Sequence, residues 1–250
     1  MRLTLRGALA AAFVLVMCGV CVRLGFWQLD RLKQRRARNH EVEVAQRMPV
    51  LDFDSMTAAA IERQPELFIN RTVRVTGTYD PTGEVILRGR ASEGSPGVHL
   101  VTPILVRHVP QALLVNRGWV PSPDAATVDA GRYAEPGTRT VVGILMQVPK
   151  HTNRVGHATT TFVNGRAVRT YRRLDLEALQ PRYPRPLLPL YVQQLPGPDA
   201  ASGRQPVRVP PPVLDNGPHL SYAVQWFSFA AIGVVGLVVV LVRQRRAGEG

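Results

Sequence analysis

The chain has 250 residues, 45% of them hydrophobic, with a net charge of +13 and a pI near 11.0. Residues 1–46 and 243–250 hold more than half of that excess in under a quarter of the length. This suits anionic lipid headgroups better than a nucleic-acid groove, so nucleic acid is excluded as the expected partner. Arginines outnumber lysines 29 to 2, a bias typical of high-GC coding that accounts for part of the basicity.

After a basic N-terminus (1–6), an uncharged run from Gly7 to Val22 is bracketed by Arg6 and Arg23. A hydrocarbon core asks for roughly 20 helical residues, so the run needs Leu24, Phe26 and Trp27, with Arg23 snorkelling to the headgroups. The predicted first span is therefore 7–27. A cleaved signal peptide is the competing reading, but the small-x-small cleavage site is missing. Both cysteines, Cys18 and Cys21, lie in this run as a CxxC. Away from any exposed helix N-terminus they read as small buried residues. Residues 28–46 continue as a basic helix, with Arg31, Lys33, Arg35, Arg36 and Arg38 near lipid phosphates and Trp27 at the interface.

Residues 47–218 carry strand signals separated by Pro and Gly. Strands are expected at Arg71–Tyr79, Glu84–Arg88, His99–Val106, Ala112–Val120, Thr140–Val148, Thr161–Tyr171 and Leu187–Gln194. Asp175 is a candidate N-cap for a short helix over 176–180, Gly94–Gly97 a turn, and Pro206–Pro212 a semi-extended linker. This predicts a mainly antiparallel sheet or partly closed barrel of α+β class between two transmembrane helices. The second span, 219–242, contains the uncharged Ala223–Val242 and stops at Arg243, Arg245 and Arg246, leaving a basic tail at 243–250. Basic residues flank the two sides of the spans almost equally, so charge alone leaves the orientation open.

No GxSxG, Walker A, GxGxxG or HExxH pattern is present, and the six histidines show no metal-ligand pairing, so an enzyme is not expected. His219 stands apart because it opens the second span, with Tyr222 and Trp226 on the same helical face. A neutral imidazole there can ligate iron while a porphyrin lies against Tyr222, Trp226 and small neighbours such as Ala223. An aromatic belt that only anchors the helix uses the same residues. Both readings stand on the residues alone.

Four blocks, in order, resemble the surfeit locus protein 1 family, assembly factors of the haem-copper cytochrome c oxidase. They are LGFWQLDRLKQR (Gly25, Trp27, Gln28, Arg31), GVHLVTPILV, LLVNRGWVP (Asn116, Arg117, Gly118, Trp119) and NGPHLSYAVQWFSFA. The GRASEGSPG stretch and the prolines before His219 resemble actinobacterial members. The resemblance implies a multi-pass cell-membrane protein with both termini cytoplasmic and an extracytoplasmic domain. It also implies a role in delivering or stabilising haem a during maturation of oxidase subunit I, with haem a synthase as a further partner and His219 as the iron ligand. Arg117 would meet a propionate or a carboxylate such as Asp124; Trp27, Gln28, Arg31, Asn116, Gly118 and Trp119 match motif positions with architectural or partner roles. The alternative is a haem-free scaffold whose domain docks on oxidase subunits.

Overall fold

The computed structural model describes residues 5–148, 158–163, 166–197 and 206–247, without the side chains of 161–163, 166, 167 and 247. The chain forms two compact units: one from the N-terminal helix up to Glu41 with the chain from Val213 onward, the other Val42–Pro212.

Helix α1 (Leu5–Arg47), which belongs to the first unit up to Glu41, is continuous through both the apolar run and the basic segment. At 1.5 Å per residue it extends about 65 Å, roughly twice a bilayer's hydrocarbon thickness. Its apolar stretch packs on the last helix of the chain, which runs from His219 to Ala247. Small residues make the approach possible. A Cβ at Gly25 would sit 2.6 Å from the Phe227 ring, and one at Gly233 would sit 2.6 Å from Cys18 Sγ. Cys18 donates weakly to the Ala230 carbonyl at 3.5 Å, and Phe26 meets Phe227 edge-on at 5.3 Å. Close backbone approach with dispersion contacts is how apolar helices associate in lipid, where no hydrophobic force separates them from acyl chains. Cys18 is thus a packing residue, and both cysteines are free thiols. Both helices are long and apolar enough to cross a membrane.

The second unit is a mixed sheet. Its described strands are β1 (Leu51–Asp52), β2 (Thr72–Tyr79), β3 (Val85–Ser92), β4 (Ser95–Leu105), β5 (Ala112–Pro121), β6 (Thr138–Gln147), β7 (Thr159–Val163), β8 (Arg166–Tyr171) and β9 (Leu187–Gln194). Neighbours follow the order β1-β2-β6-β9-β5-β4-β3-β8-β7, and β2 also pairs β4 through Thr78↔Leu105 and Tyr79↔Ile104. The second pairing closes β2, β6, β9, β5 and β4 into a small barrel, with β3, β8 and β7 as a wing. Antiparallel pairs dominate; β1–β2, β3–β8 and β5–β9 are parallel.

Alternation explains β2, whose Val73, Val75 and Tyr79 point into the barrel while Arg74, Thr76 and Thr78 point out. In β5, Leu113 and Val115 join the barrel core while Ala112 and Leu114 join a second core under the wing. A strand buried on both faces reads as an unbroken apolar run, as ALLV does. Helix α2 (Ser55–Arg63) sets the fully buried Ala58 and Ile61 against the barrel core, and the Asp54 carboxylate caps it by accepting from the Thr57 N–H at 2.7 Å. Asp175 caps helix α3 (Leu176–Leu179) as expected. The remaining helix, His219–Ala247, is α4.

This is the expected fold class, two membrane-length helices with a mainly antiparallel α+β domain, and three local expectations change. The stretch Thr161–Tyr171 is two strands, β7 and β8, paired antiparallel. The turn expected at Gly94–Gly97 is instead a two-residue hairpin turn, Glu93-Gly94, with φ of 50° and 81°; Ser95–Gly97 already belong to β4. Pro206–Pro212 is more than a linker, because Val207 exchanges backbone hydrogen bonds with Trp119 at 2.8 Å in both directions.

Candidate functional site

The motif blocks assemble into two constellations, one in each unit. The first lies where α4 begins. Arg35 donates to the Asp215 carbonyl through Nε (3.1 Å) and pairs with its carboxylate (3.3 Å), while Asn39 donates to the same carbonyl at 2.7 Å. Asp215 Oδ1 also accepts the Gly217 N–H at 3.1 Å, closing a turn that Gly217 completes with φ +65°. The turn delivers His219 to the α1 side of α4, where Nδ1 lies 2.9 Å from Gln28 Oε1.

An amide oxygen only accepts, so Nδ1 is the donor in this contact, and in the neutral imidazole Nε2 keeps its lone pair. The Nε2 edge borders Gly217, where a Cβ would stand 3.4 Å from Nε2 and 3.3 Å from Cδ2. A glycine there leaves that edge clear. Tyr222 is 48% exposed, and Trp226 meets Phe229 edge-on at 5.9 Å. Together they make an aromatic flank beside the helix seam. Ala223 is 1% exposed within the seam and is not part of that flank. Trp27 lies under the Arg31 guanidinium at 5.4 Å, and Arg31 also donates to Gln34 at 3.1 Å.

The second constellation surrounds the NRGW block. Val101 pairs Asn116 and Leu100 pairs Gly118, so Arg117 is the extra residue of a β-bulge. The bulge turns Arg117 inward, where it is 2% exposed. Nη1 donates to Glu84 (2.9 Å) and Thr102 (3.3 Å), Nη2 to Glu135 (2.9 Å) and the Tyr133 carbonyl, and Nε to Glu135 (3.2 Å). The guanidinium also stacks 5.1 Å from the Tyr79 ring. Arg208 binds both Glu135 oxygens at 3.0 and 3.1 Å and the Arg117 carbonyl at 2.5 Å. The carboxylates that hold Arg117 are therefore Glu84 and Glu135, not Asp124, which accepts from Ser122, Ala126 and Thr127.

Burial pushes the Glu84 carboxyl up against the pull of Thr102 and Arg117. Burial also acts upward on Glu135, but Arg208 and Arg117 outweigh it and hold the group low. Gly118 has φ +125°, and a Cβ there would sit 2.2 Å from the Val207 carbonyl oxygen. Asn116 Oδ1 accepts the Gly118 N–H at 3.2 Å, which turns its amide nitrogen toward His99 Nδ1, also at 3.2 Å. Burial, with Arg90 nearby, lowers the His99 pKa to about 4. Gly97 leaves the space that the Trp119 indole fills.

The SURF1 family model matches residues 15–231. The chain belongs to the SURF1 family. It is 24% identical to a SURF1-like protein of Rickettsia felis over 93% of this chain and 95% of that one. It is 26% identical to an uncharacterised SURF1-like protein of Mycobacterium bovis over 92% and 82% of the two chains. To surfeit locus protein 1 of Mus musculus it is 32% identical over 44% and 39%. At the family level these proteins are oxidase assembly factors.

Of the expected site residues, His219, Tyr222 and Trp226 share the start of α4, and Gln28 joins them through its contact with His219. Asn116, Arg117, Gly118 and Trp119 form the separate network inside the sheet unit. Asn39, Asp215 and Gly217 were not anticipated, and Arg35, expected near lipid phosphates, is held by Asp215 instead. The Asp-Asn-Gly run before His219 was the local signal for Asp215 and Gly217, a turn former leading into a helix.

Proposed function

We propose that this SURF1-family chain is an assembly factor that holds haem a at the start of α4 and hands it to oxidase subunit I, with haem a synthase as the supplier. The observation that carries the reading is the 2.9 Å contact between His219 Nδ1 and Gln28 Oε1, which leaves Nε2 as the free nitrogen. Histidines that ligate metals commonly have their second nitrogen held in this way. The haem is cargo here; its redox chemistry belongs to the oxidase that receives it.

Each residue at this position then has a task. Gln28 keeps the proton on Nδ1, Gly217 leaves the Nε2 edge clear, and Tyr222 and Trp226 offer ring surfaces for a porphyrin. Arg35 and Asn39 hold the turn in place through Asp215. A farnesylated haem disperses poorly in water, so helices that can face lipid suit it as a carrier. In this reading the protein is a multi-pass cell-membrane protein with cytoplasmic termini and an extracytoplasmic sheet unit. Arg117 acts within the sheet unit, because a propionate would have to displace Glu84 or Glu135.

The test is haem content after purification from cells that make haem a, comparing the native chain with His219→Ala. The native chain should carry a haem spectrum that the variant loses, with thermal unfolding of the sheet unit unchanged. An unchanged spectrum in the variant sinks the ligand assignment. Co-purification of subunit I with no haem in either protein favours the scaffold.

A further inference from the structure

The wing of the sheet unit carries a second polar feature that the haem reading does not use. Arg88, Arg90, Arg172 and Arg173 line a depression of about 450 Å³ together with Gly89 and Asp124–Ala126. We propose that this depression is a binding site for a phosphate-class oxyanion, held by guanidinium groups of the arginines that line it.

The site is built into the backbone. An irregularity in β3 between Leu87 and Arg90 puts Gly89 at φ +70°, and its N–H donates to the Ala125 carbonyl at 2.6 Å. Across the opening, Arg90 Nη2 donates to the Arg172 carbonyl at 2.9 Å. These bonds tie the bulge both to the loop after β5 and to the residues that follow β8.

Four arginines and one carboxylate line the depression, and that carboxylate is already occupied. Asp124 Oδ1 accepts from Ser122 Oγ and from the N–H groups of Ala126 and Thr127, and Oδ2 accepts from Thr127 Oγ1. None of the four arginines makes an ion pair among the described residues. Arg88 Nε is moreover buried without a hydrogen-bond partner among them. An unpaired buried donor is unfavourable in a folded protein, so the Arg88 guanidinium gains from an acceptor it can turn toward.

A solvated basic face would leave every guanidinium free in water, whereas here Arg88 and Arg90 are half-buried and only Arg172 and Arg173 are exposed. The excess of positive charge suits a multiply charged anion better than a single carboxylate. Several oxygens on one phosphorus can also accept from more than one guanidinium fork at once. Such a group comes either on a soluble phosphate compound or on an anionic phospholipid.

Calorimetric titration of the full chain in a neutral detergent tests the site, with inorganic pyrophosphate in one arm. A second arm compares dihexanoyl phosphatidylglycerol with dihexanoyl phosphatidylcholine, both used as water-soluble monomers. Saturable binding should weaken about tenfold or more in Arg88→Gln/Arg172→Gln and by less in Arg88→Lys, which keeps the charge but loses the fork. The charge-matched control Arg63→Gln/Arg132→Gln should bind as the native chain does. Binding of pyrophosphate alone assigns a soluble ligand, and preference for phosphatidylglycerol over phosphatidylcholine assigns a headgroup. Absence of binding in both arms, or equal weakening by the control pair, overturns the proposal. Unchanged thermal transitions in the variants show that a loss of binding is not a loss of fold.

Discussion

The NRGW bulge and the turn before α4 are both dense in polar residues and both carry motif positions, yet they use their donors differently. Around Arg117 every guanidinium N–H has an acceptor, and the two carboxylates and Arg208 form a closed set. At His219 one ring nitrogen is held and the other is left over. The closed set around Arg117 has nothing left to offer a ligand, so it holds structure; the spare donor of the block is the buried Trp119 Nε1 packed at Gly97. A held imidazole with a spare lone pair can do chemistry. The residue type signals neither role; the unused valence does.

The sharpest way to break the contrast is to open the closed network. Arg117→Ala leaves Glu84 and Glu135 facing each other with only Arg208 as counter-charge. Removing one partner of a buried ion pair costs about 3–5 kcal/mol, a large part of the stability of a domain this size. Thermal unfolding of the purified chain should show a much lower transition or none. A transition within a degree or two of the native value would mean that the network is not what holds the bulge.

A smaller effect should appear with pH at the edge of the same network. Asn116 turns its amide nitrogen to His99 Nδ1, so that nitrogen must accept and the ring must stay neutral. Its folded pKa of about 4 lies below the ordinary 6.5. The unfolded chain therefore takes up a proton that the folded chain refuses. The contribution is intact above pH 6.5 and is lost as pH falls toward 4, on the order of 3 kcal/mol in all. His99→Gln retains an acceptor for Asn116 but cannot titrate. Denaturant midpoints at pH 7.5, 5.5 and 4 should fall more steeply for the native chain than for the variant. Parallel slopes would place the acid sensitivity elsewhere.

What could be read from the sequence follows the range of the interactions. The alternation of β2, the double-sided apolar run of β5, the Asp175 cap and both membrane-length helices are local patterns, and the structure has them where expected. Helix α2 was missed because nine residues with a modest apolar face are stabilised by what they pack on, namely the barrel core. Merging β7 and β8 into one expected strand passed over Asn164-Gly165, a pair that in sequence signals a two-residue hairpin. The site contacts are longer-range still. Arg117 meets Glu84 across 33 residues and Arg208 across 91, and Gln28 meets His219 across 191. No spacing rule connects such pairs. The sequence showed that His219 stands at the entrance of a span; only the fold showed which of its nitrogens is occupied.

Gln28 should give the smallest change in stability and the most specific test of the open site. A single side-chain hydrogen bond between apolar helices contributes only about 1 kcal/mol, so Gln28→Leu should leave the helix pair assembled. What the variant removes is the acceptor that keeps the proton on Nδ1 and fixes the ring plane. Haem should then load to lower occupancy with an altered absorption spectrum. Gln28→Glu keeps an acceptor of stronger pull, which makes Nε2 a better donor, so loading should persist with a shifted reduction potential. A residue that only spaces the helices would make leucine and glutamate alike in the haem signal. Opposite displacements from the native spectrum and potential require that Gln28 act through His219. If the native chain loads no haem at all, the assignment of His219 fails first, and the Gln28 contact reduces to packing between two helices.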